Sequence, residues 1–170
     1  MFNYDNSNLQ ILYAWQMLIL CSICITLKAP SFVYKIKCKI GICMKDFKKY
    51  YTINTTPEVL YAALTQAHTI QLWSGSPAIM SEEVGSEFSL WDDSIEGKNL
   101  EFEKDKKIVQ QWYFGEQDEP SIVTFKIFAD KNKTSVEIRH TNIPDDAYDD
   151  IVAGWNEVYI GSLVEFYEEG

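Results

Sequence analysis

The sequence predicts an α+β domain over residues 44–170, in which a curved antiparallel sheet wraps around a long C-terminal helix. Five consecutive segments between Ser86 and Thr141 have strand composition and are joined by short polar turns, which is typical of an antiparallel meander with one dry face. Residues 143–170 then repeat apolar side chains at helical spacing. The dry face of the sheet is the only large surface available to cover that helix.

Two further elements are predicted before the meander. The segment Phe47–Asn54, "FKKYYTIN", has strand composition. The following "TTPEVLYAALT" predicts a short helix over Pro57–Gln66, because a threonine can cap it and proline fits the first helical position. The stretch "HTIQLWSGSP" interrupts the helical pattern and is predicted as a connection.

Alternation assigns the faces of the meander strands. The five strands are predicted at residues 86–92, 98–104, 107–114, 121–129 and 134–141. In the second of them, Leu100 and Phe102 are expected on the apolar face and Asn99 on the polar face. In the last, His140 shares the core face with Val136 and Ile138, whereas Trp91 at the end of the first strand is expected on the face opposite the core.

The C-terminal helix carries an apolar stripe with small residues in and beside it. On a helical wheel the stripe covers an arc of roughly 120°, and it contains Ile151, Val152, Trp155, Tyr159, Ser162, Leu163 and Phe166. Gly154 and Gly161 flank the stripe, and Ser162 lies within it. Two interpretations remain open: the small residues leave room for a ligand, or they allow a close approach of helix and sheet.

Several short motifs follow one another in a fixed order through this domain: Phe88 and Leu90; Ile95 and Gly97; Ile108–Gln110 with Trp112; His140; and Gly154 with Trp155. In this order and spacing residues 44–170 resemble the helix-grip fold of the SRPBCC superfamily, which includes START lipid-transfer domains and the birch-pollen allergen. Within it they are most similar to the family named after the C-terminal domain of the activator of heat-shock-protein-90 ATPase.

The resemblance implies a fold and several alternative functions. Helix-grip proteins hold a cavity between the sheet and the long helix. Members variously bind lipids, hormones or polyketides, catalyse cyclisations, or bind a chaperone, and the fold does not choose among these. The eukaryotic chaperone activators also carry a separate N-terminal domain that has no counterpart in these residues, which weighs against the chaperone role.

Six residues are candidates for lining such a cavity: Trp73, Trp112, His140, Trp155, Tyr159 and Ser162. Trp112 and Tyr159 are expected to be wall aromatics with polar tips, or ordinary core residues. Trp73 is expected near the cavity mouth, or else it plugs the core. His140 is either a ligand contact or proton donor inside the cavity, or a structural histidine that closes the last strand.

A non-enzymatic module that binds an apolar or amphipathic small molecule is therefore the first functional hypothesis. A chaperone-linked interaction protein or a stress-response protein is the alternative, and an enzyme is the third. Against an enzyme, the chain has only two histidines, His68 and His140, and neither a cysteine after Met44 nor a G-x-S-x-G motif accompanies them. No catalytic residue, cofactor or metal is predicted.

The charge distribution limits the partners. Residues 44–170 carry 11 basic and 24 acidic residues, a net charge of −13. This acidic balance argues against nucleic acid and against anionic membrane surfaces as partners of the domain. A hydrophobic ligand or a chaperone remains, with the domain as a monomer or a homodimer.

Residues 1–43 differ from the rest of the chain. They carry four lysines and one aspartate, a net charge of +3, together with all four cysteines of the chain. Residues 11–27 are uncharged, so a membrane anchor or a cleaved signal segment is one interpretation. The other is an extension upstream of a natural start at Met44, which predicts a cytoplasmic protein. Cys21, Cys24, Cys38 and Cys43 resemble zinc spacing, but an apolar run surrounds the first pair, so zinc is not expected.

Overall fold

The computed structural model describes residues 44–115, 119–131 and 133–168. The chain divides into two units at the junction of Cys43 and Met44, where the composition also changes. The hypotheses of a membrane anchor, a signal segment, an upstream extension and a zinc site in residues 1–43 lie outside the described residues.

The domain is an antiparallel sheet of seven strands, combined with two short helices and a longer C-terminal helical segment. The elements are β1 Met44–Ile53, α1 Pro57–Thr65, α2 Ala67–Ser74, β2 Ala78–Ile79, β3 Glu87–Leu90, β4 Ile95–Glu103, β5 Lys107–Trp112, β6 Ser121–Asp130, β7 Lys133–Pro144, α3 Tyr148–Ala153, a π-helical turn Gly154–Tyr159, and α4 Ile160–Glu168. The strand order is β1-β7-β6-β5-β4-β3-β2. The predicted α+β helix-grip architecture, a curved sheet with a C-terminal helix, is confirmed.

Two elements were not predicted from the sequence. Helix α2 buries Ile70 and Trp73, and it ends at Gly75, whose φ of 66° lies in the left-handed region that glycine adopts easily. Two apolar residues three positions apart are too few to reveal a helix by periodicity. Strand β2 has only two residues and pairs with the end of β3, so its sequence carries no alternation.

A bulge in β4 overturns the predicted faces of that strand. The pairing with β5 shifts between Asn99 and Glu101, which adds one residue to β4 and reverses the side-chain alternation there. Asn99 is consequently fully buried, whereas Leu100 is 36% exposed. The expectation that Leu100 faces the core and Asn99 faces away from it is therefore wrong.

The C-terminal segment is helical from Tyr148 to Glu168, but it is not one regular α-helix. The π-helical turn adds one residue, so every later side chain is displaced by one position around the helix. Ile160 is buried although it lay outside the predicted stripe, and Phe166 is 39% exposed although it lay inside it. Trp155, Tyr159 and Leu163 are buried as predicted.

One glycine of the sheet is required by packing. A Cβ atom at Gly97 would lie 2.1 Å from the Gln111 carbonyl oxygen and 2.7 Å from the Phe88 ring. This position lies on β4 between its two neighbours, β3 and β5. The absence of a side chain at Gly97 therefore lets the Phe88 ring pack directly on the sheet.

Candidate functional site

A cleft of about 310 Å³ opens between the C-terminal helical segment and the β3–β4 end of the sheet. Its walls are almost entirely apolar. Ten residues line it: Trp91, Ser94, Ile95, Trp112, Asp150, Ile151, Gly154, Trp155, Val158 and Tyr159. Strand β5 contributes Trp112, the β3–β4 loop contributes Trp91 and Ser94, and the helical segment contributes six of the ten.

Stacked aromatic rings form the inner wall of the cleft. The Trp112 and Trp155 rings are stacked with centroids 4.9 Å apart and an interplanar angle of 28°. The Tyr159 ring lies 4.8 Å from that of Trp155, one helical turn earlier in the chain. Such contacts add about 0.5–1.5 kcal/mol per pair to the free energy gained by burying the rings, so they stabilise this wall.

A chain of buried amides fixes the orientation of Trp112. Its indole Nε1–H donates to Gln110 Oε1 at 3.3 Å, and Gln110 Nε2 donates to Asn99 Oδ1 at 2.9 Å. Asn99 Nδ2 in turn donates to Ser86 Oγ at 3.1 Å and to the Ser81 carbonyl oxygen at 3.2 Å. The polar atoms behind this wall are therefore paired, and the Trp112 N–H is not available to a ligand.

A second chain, through His140, fixes Trp155. The Trp155 Nε1–H donates to His140 Nδ1 at 3.1 Å, which leaves the proton of a neutral ring on Nε2. His140 Nε2 lies 2.8 Å from Ser121 Oγ, and that hydroxyl donates to the Thr141 carbonyl oxygen at 3.2 Å. Burial lowers the pKa of His140 to about 3. The imidazole is therefore neutral, and both of its nitrogens are engaged.

Trp73 lies behind the cleft and not at its mouth. It is buried, and its Nε1–H donates to the Ala63 carbonyl oxygen at 2.8 Å. Its ring packs edge-on against Trp91, with the centroids 5.5 Å apart, and at a tilt of 47° against Tyr159, with the centroids 5.2 Å apart. Trp73 therefore supports two lining residues from the core side.

Trp91 occupies the β3–β4 turn, where the backbone is unusual. Trp91, Asp92 and Asp93 have φ angles of 51°, 53° and 63°. Three successive non-glycine residues in the left-handed region are energetically costly, and the aspartates tolerate it best. The half-buried Trp91 ring lies 5.3 Å from that of Tyr159, so the turn directs this side chain onto the cleft wall instead of away from the core.

The Tyr159 hydroxyl has no hydrogen-bond partner among residues 44–115, 119–131 and 133–168. The side chain is buried, and burial raises the pKa of this hydroxyl above its ordinary value. A buried hydroxyl without a partner lowers the stability of the fold. Tyr159 is therefore the lining residue best suited to give or accept a hydrogen bond from a bound molecule.

Gly154 opens the cleft beside Trp155. A Cβ atom at Gly154 would have no other atom within 4 Å, although the residue lines the cleft. A close approach of helix and sheet therefore does not explain this glycine. At Gly161 a Cβ atom would lie 3.2 Å from the Asn156 carbonyl oxygen of the π-helical turn, so that glycine accommodates the irregular helix itself.

A second, more open groove of about 360 Å³ lies on the opposite side of the helical segment, beside β1. Asn156 lines it, and its Oδ1 accepts hydrogen bonds from Lys49 Nζ at 2.5 Å and from the Tyr51 hydroxyl at 2.9 Å. Asn156 Nδ2 donates to the Val152 carbonyl oxygen at 2.6 Å. Asn156 thus attaches the π-helical turn to β1.

Neither a metal cluster nor a membrane-spanning helix was found in the described part of the chain. In that part no three His, Cys, Asp or Glu side chains are placed to hold a metal ion together. No helix there is both long and apolar enough to cross a bilayer.

The comparison with protein families identifies the chain by its sequence. The family model described as "Activator of Hsp90 ATPase homolog 1-like protein" matches residues 54–168, which include every element from α1 to α4. The chain belongs to this family. The resemblance predicted from the sequence motifs is therefore confirmed.

Curated relatives in the family are longer proteins. The human activator of 90 kDa heat shock protein ATPase homolog 1 is 27% identical over 134 residues, which are 78% of this chain and 39% of the human protein. A Dictyostelium discoideum homologue is 30% identical over 114 residues, which are 65% of this chain and 30% of that protein. The chain thus spans about two fifths or less of the length of these relatives.

Solved structures of similar chains have nearly the same extent as this domain. An HSP90 activator from Plasmodium falciparum is 31% identical, with a TM-score of 0.64 over 69% of this chain and 91% of the solved chain. The Aha1 dimer from Colwellia psychrerythraea is 19% identical, with a TM-score of 0.61 over 74% of this chain and 95% of the solved chain. The second comparison shows a shared fold alone.

Within this family fold, the six candidate residues take three kinds of position. Trp112, Trp155 and Tyr159 line the cleft, whereas Trp73 and His140 support lining residues from behind. Ser162 is part-buried on α4 and lines neither the cleft nor the groove. Trp91, Asp150 and Val158 line the cleft but were not among the candidates. The helical spacing of Asp150, Gly154 and Val158 is the signal that could have identified two of them.

Proposed function

We propose that residues 44–170 form a non-enzymatic module that binds an apolar or amphipathic small molecule in the cleft. The observation that carries this proposal is an apolar cleft whose buried Tyr159 hydroxyl lacks a partner in the described chain. Engineered apolar cavities of about 150 Å³ bind benzene. At about 310 Å³, this cleft suits a molecule of about two fused rings with one polar group.

The side chains around the cleft favour binding over catalysis. Lining residues Ser94 and Asp150 are both exposed, and no base stands beside the serine to activate it among the contacts of the described residues. His140 is held neutral behind Trp155 with both nitrogens engaged, so it is poorly placed to transfer a proton to a ligand. These contacts therefore favour a structural role for His140.

Mass spectrometry of the 170-residue chain tests this proposal. A native spectrum with a discrete extra mass that is lost on denaturation supports a ligand retained from the cell. If the chain is purified empty, 2-naphthylmethanol is added as a probe of the right size, and a one-to-one complex is expected. Gly154→Leu, whose side chain would project into the cleft, should abolish that complex. If no ligand is retained from the cell and the chain forms no complex with the probe, the proposal is refuted.

A second function, interaction with a chaperone of the heat-shock-protein-90 class, is favoured by the comparisons. Both the human relative and the 31% identical solved structure are named as activators of that chaperone. The test is the ATPase rate of such a chaperone with and without this chain. A saturable increase would support this function, whereas an unchanged rate together with no detectable complex would contradict it.

The cellular location and the oligomeric state of the domain are two further proposals. We propose a cytoplasmic domain that begins near Met44, because residues 44–170 contain no cysteine and the unit boundary falls at that position. The domain is proposed to be a monomer or a homodimer. Light scattering after size-exclusion chromatography gives the mass of the assembly, and limited proteolysis gives the boundary of the stable unit.

A further inference from the structure

We infer that the cleft selects an organic cation, an ammonium group carried on a body of about two fused rings, over a neutral or anionic molecule of the same shape. This inference rests on the proposed function, because it names the class of molecule that the cleft takes. Three observations carry it: the charge of the lining residues, their aromatic rings, and the position of the one carboxylate.

The lining residues offer a charged partner to a cation and none to an anion. Of the ten described residues that line the cleft, Asp150 is the only one with a formal charge, and none is lysine, arginine or histidine. The neighbouring turn adds Asp92 and Asp93, and the whole chain has a net charge of −10. A carboxylate ligand, such as a fatty acid, would lose its hydration in the cleft without gaining a compensating positive charge.

The aromatic wall favours the same sign of charge. Four lining residues are aromatic: Trp91, Trp112, Trp155 and Tyr159. The faces of such rings carry negative potential and attract ammonium groups within about 6 Å of the ring centre, tryptophan most strongly. The indole N–H groups of Trp112 and Trp155 are already engaged behind the wall, so these rings present no donor that would attract an anion.

Asp150 stands where the polar end of such a molecule would lie. It is exposed, and it precedes Gly154 by four residues, so the two positions share one face of the helical segment about one turn apart. The space beside Gly154 accommodates the apolar body, while the carboxylate one turn away meets the ammonium group. Tyr159, whose hydroxyl has no partner in the described part of the chain, lines the same cleft.

Calorimetric titration with three probes of one shape tests the inference. The probes are 2-naphthylmethylammonium, 2-naphthylmethanol and 2-naphthoate, each titrated at neutral pH into the 170-residue chain. The ammonium probe is expected to bind on the order of tenfold more tightly than the alcohol, and the carboxylate should bind more weakly than both. Asp150→Asn should lower the ratio of ammonium to alcohol affinity.

The matched control is Asp149→Asn. Asp149 is exposed on the same short helix but does not line the cleft, and its replacement changes the net charge by the same amount. This variant should keep the wild-type ratio. If the alcohol binds and the ammonium probe binds no more tightly, or if both variants lower the ratio equally, the inference is overturned and the proposed function stands. If none of the three probes binds, the proposed function fails as well.

Discussion

Acidification should weaken this fold through His140. The imidazole is neutral in the folded chain, because burial lowers its pKa to about 3 and because its Nδ1 accepts a hydrogen bond from Trp155. In the unfolded chain a histidine has a pKa of about 6.5. As the pH falls below that value, the unfolded state binds a proton that the folded state does not bind, so the free energy of unfolding decreases.

The size of the effect follows from the two pKa values. One pKa unit corresponds to about 1.4 kcal/mol. A pKa of about 3 in the fold against 6.5 outside it gives a total loss on the order of 5 kcal/mol, complete only near pH 3. By pH 5 the loss is about 2 kcal/mol. This is a measurable fraction of the stability of a typical domain.

Urea unfolding at pH 7, 6 and 5, followed by tryptophan fluorescence, measures this loss in the wild type and in His140→Gln. We expect the variant to be less stable at pH 7 but to lose about 2 kcal/mol less than the wild type between pH 7 and pH 5. The control is His68→Gln, since His68 is exposed, and its curve should follow the wild type.

Equal losses in the wild type and in His140→Gln would refute the argument. If that variant does not fold, ¹⁵N NMR of the wild type shows whether the His140 ring is neutral in the folded chain. The His140 ring nitrogens should keep the neutral pattern, protonated at Nε2 alone, at pH 5. A doubly protonated ring in the folded chain at that pH would equally contradict the assignment.

The helical segment gives three more predictions. Gly154→Ala should raise the free energy of unfolding by about 1 kcal/mol, because its Cβ meets no atom. Gly161→Ala should raise it less or lower it, because its Cβ approaches the Asn156 carbonyl oxygen at 3.2 Å. Gly154→Leu should fold yet no longer bind 2-naphthylmethanol in a calorimetric titration. Asn156→Ala should lower the free energy of unfolding by about 1–2 kcal/mol, since Lys49 and Tyr51 lose their acceptor. Tyr51→Phe removes only one of these hydrogen bonds and should lower the free energy of unfolding by less.

The outcomes that would contradict these predictions are distinct. Equal gains in both alanine variants of the glycines would mean that the π-helical turn does not constrain Gly161. Undiminished probe binding by Gly154→Leu would place the probe elsewhere. An unchanged stability of Asn156→Ala would mean that the turn is held by packing alone. Chemical unfolding measures the first and third, and the second is read from the titration.

The sequence predicts the fold and the inner wall of the cleft because both depend on simple periodicities and on one short motif. Period-two alternation places His140 on the core face of β7. Helical spacing places Trp155 and Tyr159 on one face, since they are four residues apart, and both stay buried within the π-helical turn. Trp112 ends a strand in a recognisable family motif. These assignments need no knowledge of neighbouring segments.

The errors arise where one residue is added to a regular element. In β4 the bulge turns Asn99 inward and Leu100 outward, and Asn99 is stabilised there by Gln110, which lies on another strand. In the C-terminal helix the extra residue exposes Phe166 and buries Ile160. Such insertions depend on hydrogen bonds between distant segments, so local patterns do not reveal them.

Trp91 shows a related limit. Alternation along β3 predicts that its side chain faces away from the core. The strand ends at Leu90, however, and the left-handed turn that follows brings the Trp91 ring onto Tyr159. The two aspartates signal a turn in the sequence, but they do not indicate the direction in which the preceding tryptophan will point.

The most direct test of the ligand cleft is the position of a bound probe. Intermolecular NOEs would be recorded between 2-naphthylmethanol and the methyl groups of the 170-residue chain. We predict contacts to Ile95, Ile151 and Val158, which line the cleft. The control is Ile79, an exposed isoleucine on the edge strand β2, which should show none. Contacts confined to Ile79 or other exposed apolar side chains, or no contacts at all, would contradict the assignment of the cleft as the binding site.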